Sequence, residues 1–230
     1  EKGRAVWKSG PEKSKDLKII TELANPFAHI SGIKVLSGNL GRAIMKISAL
    51  VDGEDTLVEA PAMVFHSQQE VEQAFEAGQL NRDLVAVVRF QGPRANGMPE
   101  LHKLITWLSI AMDQGNKVGL VTDGRLSGAS GKVPFAIHCT PEALVGGLLG
   151  KVEEGDIIRM DARNNLLELK VPKEVLAERA SAEPLSDGKH CMPGHQIFVP
   201  LRRVLSGAEE GASALNFFSM PNHISKRDKK

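Results

Sequence analysis

Two short, continuously apolar segments on either side of a helical pattern constrain the fold of this sequence most. The segments DLVAVVRF (83–90) and KVGLVT (117–122) are typical of strands buried on both faces of a sheet. Between them, PELHKLITWLSIAMDQG (99–115) carries apolar residues at helical spacing, with Pro99 at the expected first helical position and Gly115 as its end. This order of strand, helix and strand predicts a right-handed parallel crossover.

Polar loops leave the carboxyl ends of both predicted strands, as QGPRANGMPE (91–100) and DGRLSGASGKVP (123–134). Ligands bind at this edge of parallel sheets, so we expect the two loops to face one crevice. Glu100 is expected in the first turn of the helix, where the helix dipole alone would favour a carboxylate. Ser127 is either a site residue or a turn hydroxyl bonded to its own backbone. Neither GxxxxGK[ST] nor GxGxxG is present, so a phosphate cradle made by the glycines is only weakly indicated.

Other segments predict a hairpin and a capped helix before this region. GIKVLSG (32–38) and AIMKISALV (43–51) read as two strands joined by a turn. HSQQEVEQAFEAG (66–78) reads as a short helix with a capping box, because Glu70 follows Ser67 by three positions.

Charge and cysteine content exclude several classes of protein. Among the 230 residues, 29 Lys and Arg balance 28 Asp and Glu, which argues against a nucleic-acid binder with a broad basic surface. No apolar run is long enough to span a bilayer and no signal sequence is present, so we expect a cytoplasmic protein without a membrane partner. Cys139 and Cys191 lack metal-ligand spacing. We expect Cys139 to be a buried thiol and Cys191, beside His190, to be a loop thiol without a catalytic role.

Composition divides the chain into three parts. Residues 1–30 are polar, contain proline and glycine, and read as a linker or as the end of a missing amino-terminal domain. Residues 31–218 are expected to form the compact domain, and residues 219–230 a basic tail. Because the sequence starts at Glu1 without methionine, we expect it to be a piece of something longer.

Three long motifs resemble the carboxyl-terminal half of one enzyme family. RFQGPRANGMPELHKL, VTDGRLSGASGKVPFAIHCTPEALVGGLLGKVEEGDIIRMD and SGNLGRAIMKISALV are similar to the family that unites dihydroxy-acid, sugar-acid and 6-phosphogluconate dehydratases. Asn96 and Lys132 mark the resemblance to the 6-phosphogluconate branch, because the dihydroxy-acid branch typically has a GPGMPEM-like loop and SGGTSG. The resemblance covers residues 26–218. It implies a mixed α/β fold: a β-rich, barrel-like swivelling domain flanked by helices, with a parallel βαβ crossover carrying the site loops.

The resemblance also implies a reaction and roles for two residues. Family members remove water from a dihydroxy acid: a base takes the C2 proton, the C3 hydroxyl leaves with an iron–sulfur cluster as Lewis acid, and the enol becomes a 2-keto acid. Glu100 of GMPE resembles the carboxylate ligand of a magnesium ion, and Ser127 of DGRLSG resembles the alkoxide base. A serine base requires a nearby cation that lowers the pKa of its hydroxyl. For this branch the reaction converts 6-phospho-D-gluconate to 2-keto-3-deoxy-6-phosphogluconate, in the Entner–Doudoroff pathway.

The family's cluster-binding cysteines and its other magnesium ligands belong to an amino-terminal domain that these residues do not include. Cys139 and Cys191 do not match the cluster positions. We therefore expect half of an enzyme, inactive alone, whose partner is the missing amino-terminal domain and whose full form is a homodimer. The alternatives are a dehydratase of an unphosphorylated aldonate or dihydroxy acid, and a detached domain without catalysis.

Three cations on the two loops are candidates for binding the sugar-acid phosphate. They are Arg94, Arg125 and Lys132. Lys132 is the candidate for the phosphate, because it belongs to the branch-specific SGKVP and an ammonium is a point-charge partner for phosphate. Arg125 is expected either at the substrate carboxylate, or paired with Asp123, or holding the loop.

Overall fold

The structure is a computed structural model that describes residues 3, 5–27, 32–47, 57–126, 132–184 and 196–215. The chain divides into two compact units, Glu1–Gly32 and Ile33–Lys230. The described residues of the first unit form turns and irregular backbone, without a helix or a strand. One turn is closed by Asp16, whose carbonyl oxygen accepts the amide hydrogen of Ile20 at 3.0 Å.

The second unit contains most of the regular structure. Its strands are β1 Ile33–Gly38, β2 Gly41–Lys46, β3 Leu57–Phe65, β4 Leu84–Val88, β5 Val118–Thr122, β6 Phe135–Thr140, β7 Ile157–Asp161 and β8 Leu166–Leu169. Its α-helices within the described residues are α1 Gln68–Glu76, α2 Pro93–Asn96, α3 Lys103–Asp113, α4 Lys173–Glu178 and α5 Val199–Val204. Short 3₁₀ turns occur at Ala143–Val145, Leu148–Lys151 and Ala208–Glu210.

The eight strands close into a barrel in the order β1, β2, β6, β5, β4, β3, β7, β8. Four consecutive neighbours in the barrel, β3, β4, β5 and β6, each run parallel to the next strand. A parallel contact between β1 and β8 closes the ring, and the remaining pairs are antiparallel. The mixed α/β fold and the barrel-like sheet expected from the resemblance are confirmed.

Two apolar layers explain why the central strands are hydrophobic throughout. One layer fills the barrel and receives side chains from all eight strands. The other lies between the outside of the barrel and the helices α1 and α3. Along β4, Val85 and Val87 enter the barrel layer, whereas Leu84, Ala86 and Val88 enter the helix layer. Because both faces of this strand are buried, the alternation of apolar and polar residues seen in half-exposed strands is absent.

The predicted crossover, hairpin and capped helix are confirmed, but the second hairpin strand, predicted over residues 43–51, is observed at Gly41–Lys46, and residues 48–51 lie outside the described residues. β4 and β5 are parallel neighbours, as the crossover requires, and β1 and β2 form an antiparallel hairpin in which Gly38 pairs with Gly41. At α1, Ser67 Oγ accepts the amide hydrogen of Glu70 at 3.2 Å. The Glu70 carboxylate accepts the amide hydrogen of His66 at 2.7 Å, one residue before the cap.

Among the described residues, no helix is both long enough and apolar enough to cross a bilayer.

The predicted start of the central helix is wrong, and Glu100 does not lie in its first turn. The helix α3 begins at Lys103, and a separate four-residue helix, α2, follows β4. Pro93 takes the first position of α2, where a missing amide hydrogen is tolerated, and Gly97 ends it with a left-handed φ of 71°. The backbone of Glu100 instead forms an isolated parallel bridge with that of Arg125, so Glu100 is not part of a helical turn.

Candidate functional site

The described residues that directly follow β4 and β5, 91–100 and 123–126, lie side by side, as predicted. Asp123, the first residue after β5, is fully buried, and its carboxylate accepts the amide hydrogens of Phe90 and Gln91. Its carboxylate oxygens lie 3.2 Å from the nitrogen of Phe90 and 2.8 Å from that of Gln91. A third amide hydrogen comes from Ala143, at 3.0 Å. Burial raises the pKa of this carboxyl to about 6, although the three hydrogen bonds act in the opposite direction.

Glu100 and Arg125 meet across this edge of the barrel. Arg125 Nη1 lies 3.1 Å from Glu100 Oε2, and Arg125 Nε donates to the carbonyl oxygen of Met98 at 2.7 Å. The amide of Leu101 donates to the carbonyl oxygen of Arg125 at 3.1 Å. Both charged side chains keep contact with solvent, at 31% exposed for Glu100 and 49% for Arg125. Arg125 thus contacts the neighbouring loop, and its ion-pair partner is Glu100 rather than Asp123. Its role at the substrate carboxylate stays a prediction.

Arg94 is held by groups that the sequence analysis did not identify. The buried carboxylate of Glu142 accepts the amide hydrogens of Arg94 and Ala95 at 3.2 Å, and so covers the start of α2. A Cβ atom at Gly92 would lie 2.3 Å from Glu142 Oε2, so this approach requires glycine. The Arg94 Nε atom donates to the carbonyl oxygen of Leu205 at 2.7 Å.

Lys132 does not lie beside Arg94 and Arg125. Its ammonium pairs with Asp113, the last residue of α3, and both side chains are about half exposed. In the parallel pair of β5 and β6, Leu120 lies opposite Phe135. Lys132 therefore lies near the amino-terminal edge of these strands, opposite the edge that carries Arg125. Its role in phosphate binding stays a prediction.

The described residues contain no set of three histidine, cysteine or acidic side chains that could hold a metal ion. The prediction for Cys139 is confirmed, since its buried thiol donates to the carbonyl oxygen of Leu40 at 3.2 Å. Burial raises the pKa of this thiol to about 12, which disfavours the thiolate that ligates metals. Ser127 and Cys191 lie outside the described residues.

A buried arginine beside the site was also missed by the sequence analysis. Arg89 Nε donates to His66 Nε2 at 3.2 Å, and its Nη1 donates to the carbonyl oxygens of Gly150 and Val152. The His66 ring stacks on Phe90 at a centroid distance of 5.6 Å. Burial, and then the charge of Arg89, lower the pKa of His66. The only sequence signal for this cluster was a charged residue inside the apolar run VAVVRF.

The site loops lie in the part of the chain that matches known proteins. The sequence model described as "Dihydroxy-acid/6-phosphogluconate dehydratase C-terminal" matches residues 18–212. The chain is 54% identical over 215 residues to phosphogluconate dehydratase of Escherichia coli (strain K12) and 50% identical over 216 residues to that of Rhizobium meliloti (strain 1021). Each match covers 94% of this chain but only 36% and 35% of the respective relative.

A member of the dihydroxy-acid branch is less similar. Dihydroxy-acid dehydratase of Agathobacter rectalis is 41% identical over 170 residues, which is 72% of this chain and 30% of that protein. The chain thus spans about a third of the length of the curated relatives it matches. From the extent of the family match, the chain belongs to the dihydroxy-acid/6-phosphogluconate dehydratase family and corresponds to its carboxyl-terminal part.

Proposed function

We propose that this chain supplies the carboxyl-terminal half of a phosphogluconate dehydratase, a hydro-lyase of the Entner–Doudoroff pathway. The reaction converts 6-phospho-D-gluconate to 2-keto-3-deoxy-6-phosphogluconate and water. The observation that carries the proposal is the contact between Glu100 and Arg125 where the exit loops of two parallel strands meet. The identity to phosphogluconate dehydratases supports the substrate over those of the dihydroxy-acid branch.

Glu100 is suited to contribute one ligand to a magnesium ion. Its carboxylate is a hard oxygen donor, it remains 31% exposed, and it lies at the edge where ligands bind in parallel sheets. A bound magnesium ion would supply positive charge to stabilise the enediolate that forms when the C2 proton is removed. Arg125, paired with the same carboxylate at 3.1 Å, would keep Glu100 oriented toward the crevice.

We propose that the alkoxide oxygen of Ser127 accepts the C2 proton, because Ser127 matches the base in the family motif. Removal of the C2 proton by the Ser127 alkoxide leaves an enediolate and a neutral serine hydroxyl. The C3–O bond then breaks, the departing hydroxide takes the proton held by Ser127 and leaves as water, and the resulting enol tautomerises to the 2-keto acid. Arg94 is proposed to bind an anionic end of the substrate, whereas Lys132, paired with Asp113 near the opposite edge of β5 and β6, stays a candidate for the phosphate from the sequence motif alone.

The described residues do not fit an iron–sulfur cluster. Cluster ligation needs several thiolates, whereas Cys139 is buried and bonded to a carbonyl oxygen, and no three-residue metal set occurs in the described ranges. We therefore propose that the cluster ligands belong to an amino-terminal domain corresponding to the two thirds of the relatives not matched here. Division of the chain at residues 30 and 218, a homodimeric full enzyme and a cytoplasmic location are further parts of this proposal.

A chimera tests the proposed function. This chain would replace the matched carboxyl-terminal segment of the Escherichia coli phosphogluconate dehydratase, and formation of the 2-keto acid would be measured. The expected result is turnover of 6-phosphogluconate well above that of gluconate and of 2,3-dihydroxyisovalerate. A preference for either unphosphorylated acid would favour the alternative substrates. A folded, cluster-loaded chimera without dehydratase activity would favour a detached, non-catalytic domain.

A further inference from the structure

We propose that Asp123 is a positioning residue that locks the exit segments of β4, β5 and β6 together and thereby sets the place of Glu100 and Arg125. Its three donors come from two other segments: Phe90 and Gln91 follow β4, and Ala143 follows the end of β6. The catalytic consequence of this lock rests on the proposed function, whereas the lock itself does not.

The ionised carboxylate of Asp123 satisfies all three backbone donors at this position. Asp123 is 0% exposed, and in the described part of the chain its hydrogen-bond partners are the three backbone amides. A carboxylate offers acceptor sites on both oxygens, so all three donors are satisfied at once. An asparagine of the same size would present an NH₂ group to at least one amide hydrogen, and that buried donor would lose its partner.

The lock closes a ring that contains the proposed magnesium ligand. From Gln91 the chain runs through α2 to Glu100, the Glu100 side chain contacts Arg125, and two residues of chain lead back to Asp123. Within this ring Asn96 Nδ2 donates to the Gln91 side chain at 3.0 Å. The Phe90 backbone, with a left-handed φ of 62°, is held by the same carboxylate. Loss of the Asp123 bonds therefore removes the link between the exit segments of β4 and β5 on one side of the ring, and leaves Glu100 held by its contact with Arg125 and by the neighbouring Leu101–Arg125 bond.

Asp161 provides a matched control. It is also nearly fully buried, at 2% exposed, and it also ends a barrel strand, β7. Its carboxylate accepts the amide hydrogens of Arg163 and Asn164, and it pairs with Arg159. All of these partners lie within three residues of Asp161, so its loss disturbs one local turn rather than several segments.

Hydrogen exchange of the 230-residue chain tests the lock without any activity. In Asp123→Asn we expect amide exchange to accelerate by about tenfold or more in residues 90–101 and 141–147, with the β7–β8 turn unchanged. In Asp161→Asn we expect acceleration in residues 161–165 only. Equal protection of residues 90–101 in Asp123→Asn and in the wild type would overturn the inference.

If Asp123→Asn does not fold, the wild-type chain still decides the question. The lock predicts that the amides of Phe90, Gln91 and Ala143 exchange as slowly as those of the barrel strands. Exchange of any of the three at the rate of open loops would overturn the inference.

The chimera then tests the catalytic consequence. Asp123→Asn should lower kcat by about 10- to 100-fold and change KM by less than about threefold, because misplaced catalytic groups affect turnover more than binding. Asp161→Asn should leave both constants near those of the parent. An inactive parent chimera together with accelerated exchange in Asp123→Asn would refute the proposed function and support the lock. Unchanged kcat in Asp123→Asn would refute the positioning role.

Discussion

Substitution of Asp123 by asparagine should change how the stability of the domain depends on pH. Burial raises the pKa of Asp123 from an ordinary value of 3.8 to about 6. At about 1.4 kcal/mol per pKa unit, this difference corresponds to about 3 kcal/mol. Between pH 4 and pH 6 the native state holds a proton that the unfolded chain has released, so this carboxyl makes the free energy of unfolding fall as pH rises.

Asp123→Asn has no such proton, and the difference in unfolding free energy between wild type and variant isolates the effect. Denaturant unfolding followed by circular dichroism, from pH 4 to pH 7.5, should show this difference shrinking by about 2 kcal/mol as pH rises, because the remainder of the change lies below pH 4. Contributions from titrating groups that do not interact with Asp123, such as His66, cancel between the two proteins. A difference that stays constant over this range would refute the reasoning.

Asp161→Asn is the control for the pH experiment. The pKa of Asp161 is lowered to about 2, with hydrogen bonds from Asn164 and Arg159 outweighing the opposing effect of desolvation. Its stabilising contribution is present above pH 4 and is lost only as pH falls toward 2. The wild type and Asp161→Asn should therefore differ by a nearly constant free energy between pH 4 and pH 7.5.

Three further predictions concern metal and substrate. The purified chain should be colourless and bind no stoichiometric iron, and iron with acid-labile sulfide in stoichiometric amount would contradict this. In the chimera, Glu100→Gln should lower the rate and raise the magnesium concentration needed for half-maximal activity, and an unchanged magnesium dependence would remove Glu100 from the site. Lys132→Met should raise KM much more for 6-phosphogluconate than for gluconate, and Asp113→Asn, which frees the ammonium, should not raise either. Equal effects of Lys132→Met on both substrates would show that Lys132 does not bind the phosphate.

The crossover and the helix cap could be predicted from the sequence because they depend on neighbours in the chain. The apolar runs of β4 and β5 and the Ser67–Glu70 pair carry their own signals. Closure of the barrel was expected only from the resemblance, since it depends on strand pairs far apart in sequence, such as β1 with β8. No local pattern specifies such pairs.

Only part of the candidate site could be predicted, because local sequence patterns do not specify contacts between residues far apart in the chain. The meeting of the two exit loops follows from the parallel crossover, but the partners of their polar groups do not. Glu142 reaches the start of α2 from 48 residues away, and Asp123 binds amides 33 and 32 residues earlier. The start of α3 was misplaced because Pro99 resembles a first helical residue, whereas Pro93 takes that position in α2.

The most direct test of the proposed function is the turnover of 6-phosphogluconate by the chimera carrying Ser127→Ala. Loss of the base should lower kcat by about 1,000-fold and change KM by less than about threefold, because the hydroxyl is proposed to act on the C2 proton rather than in binding. Ser130→Ala, which removes a neighbouring hydroxyl of the same loop, is the matched control and should retain the parent's kcat. Near-parental turnover by the Ser127→Ala chimera would contradict the assignment of this chain's loop to proton removal.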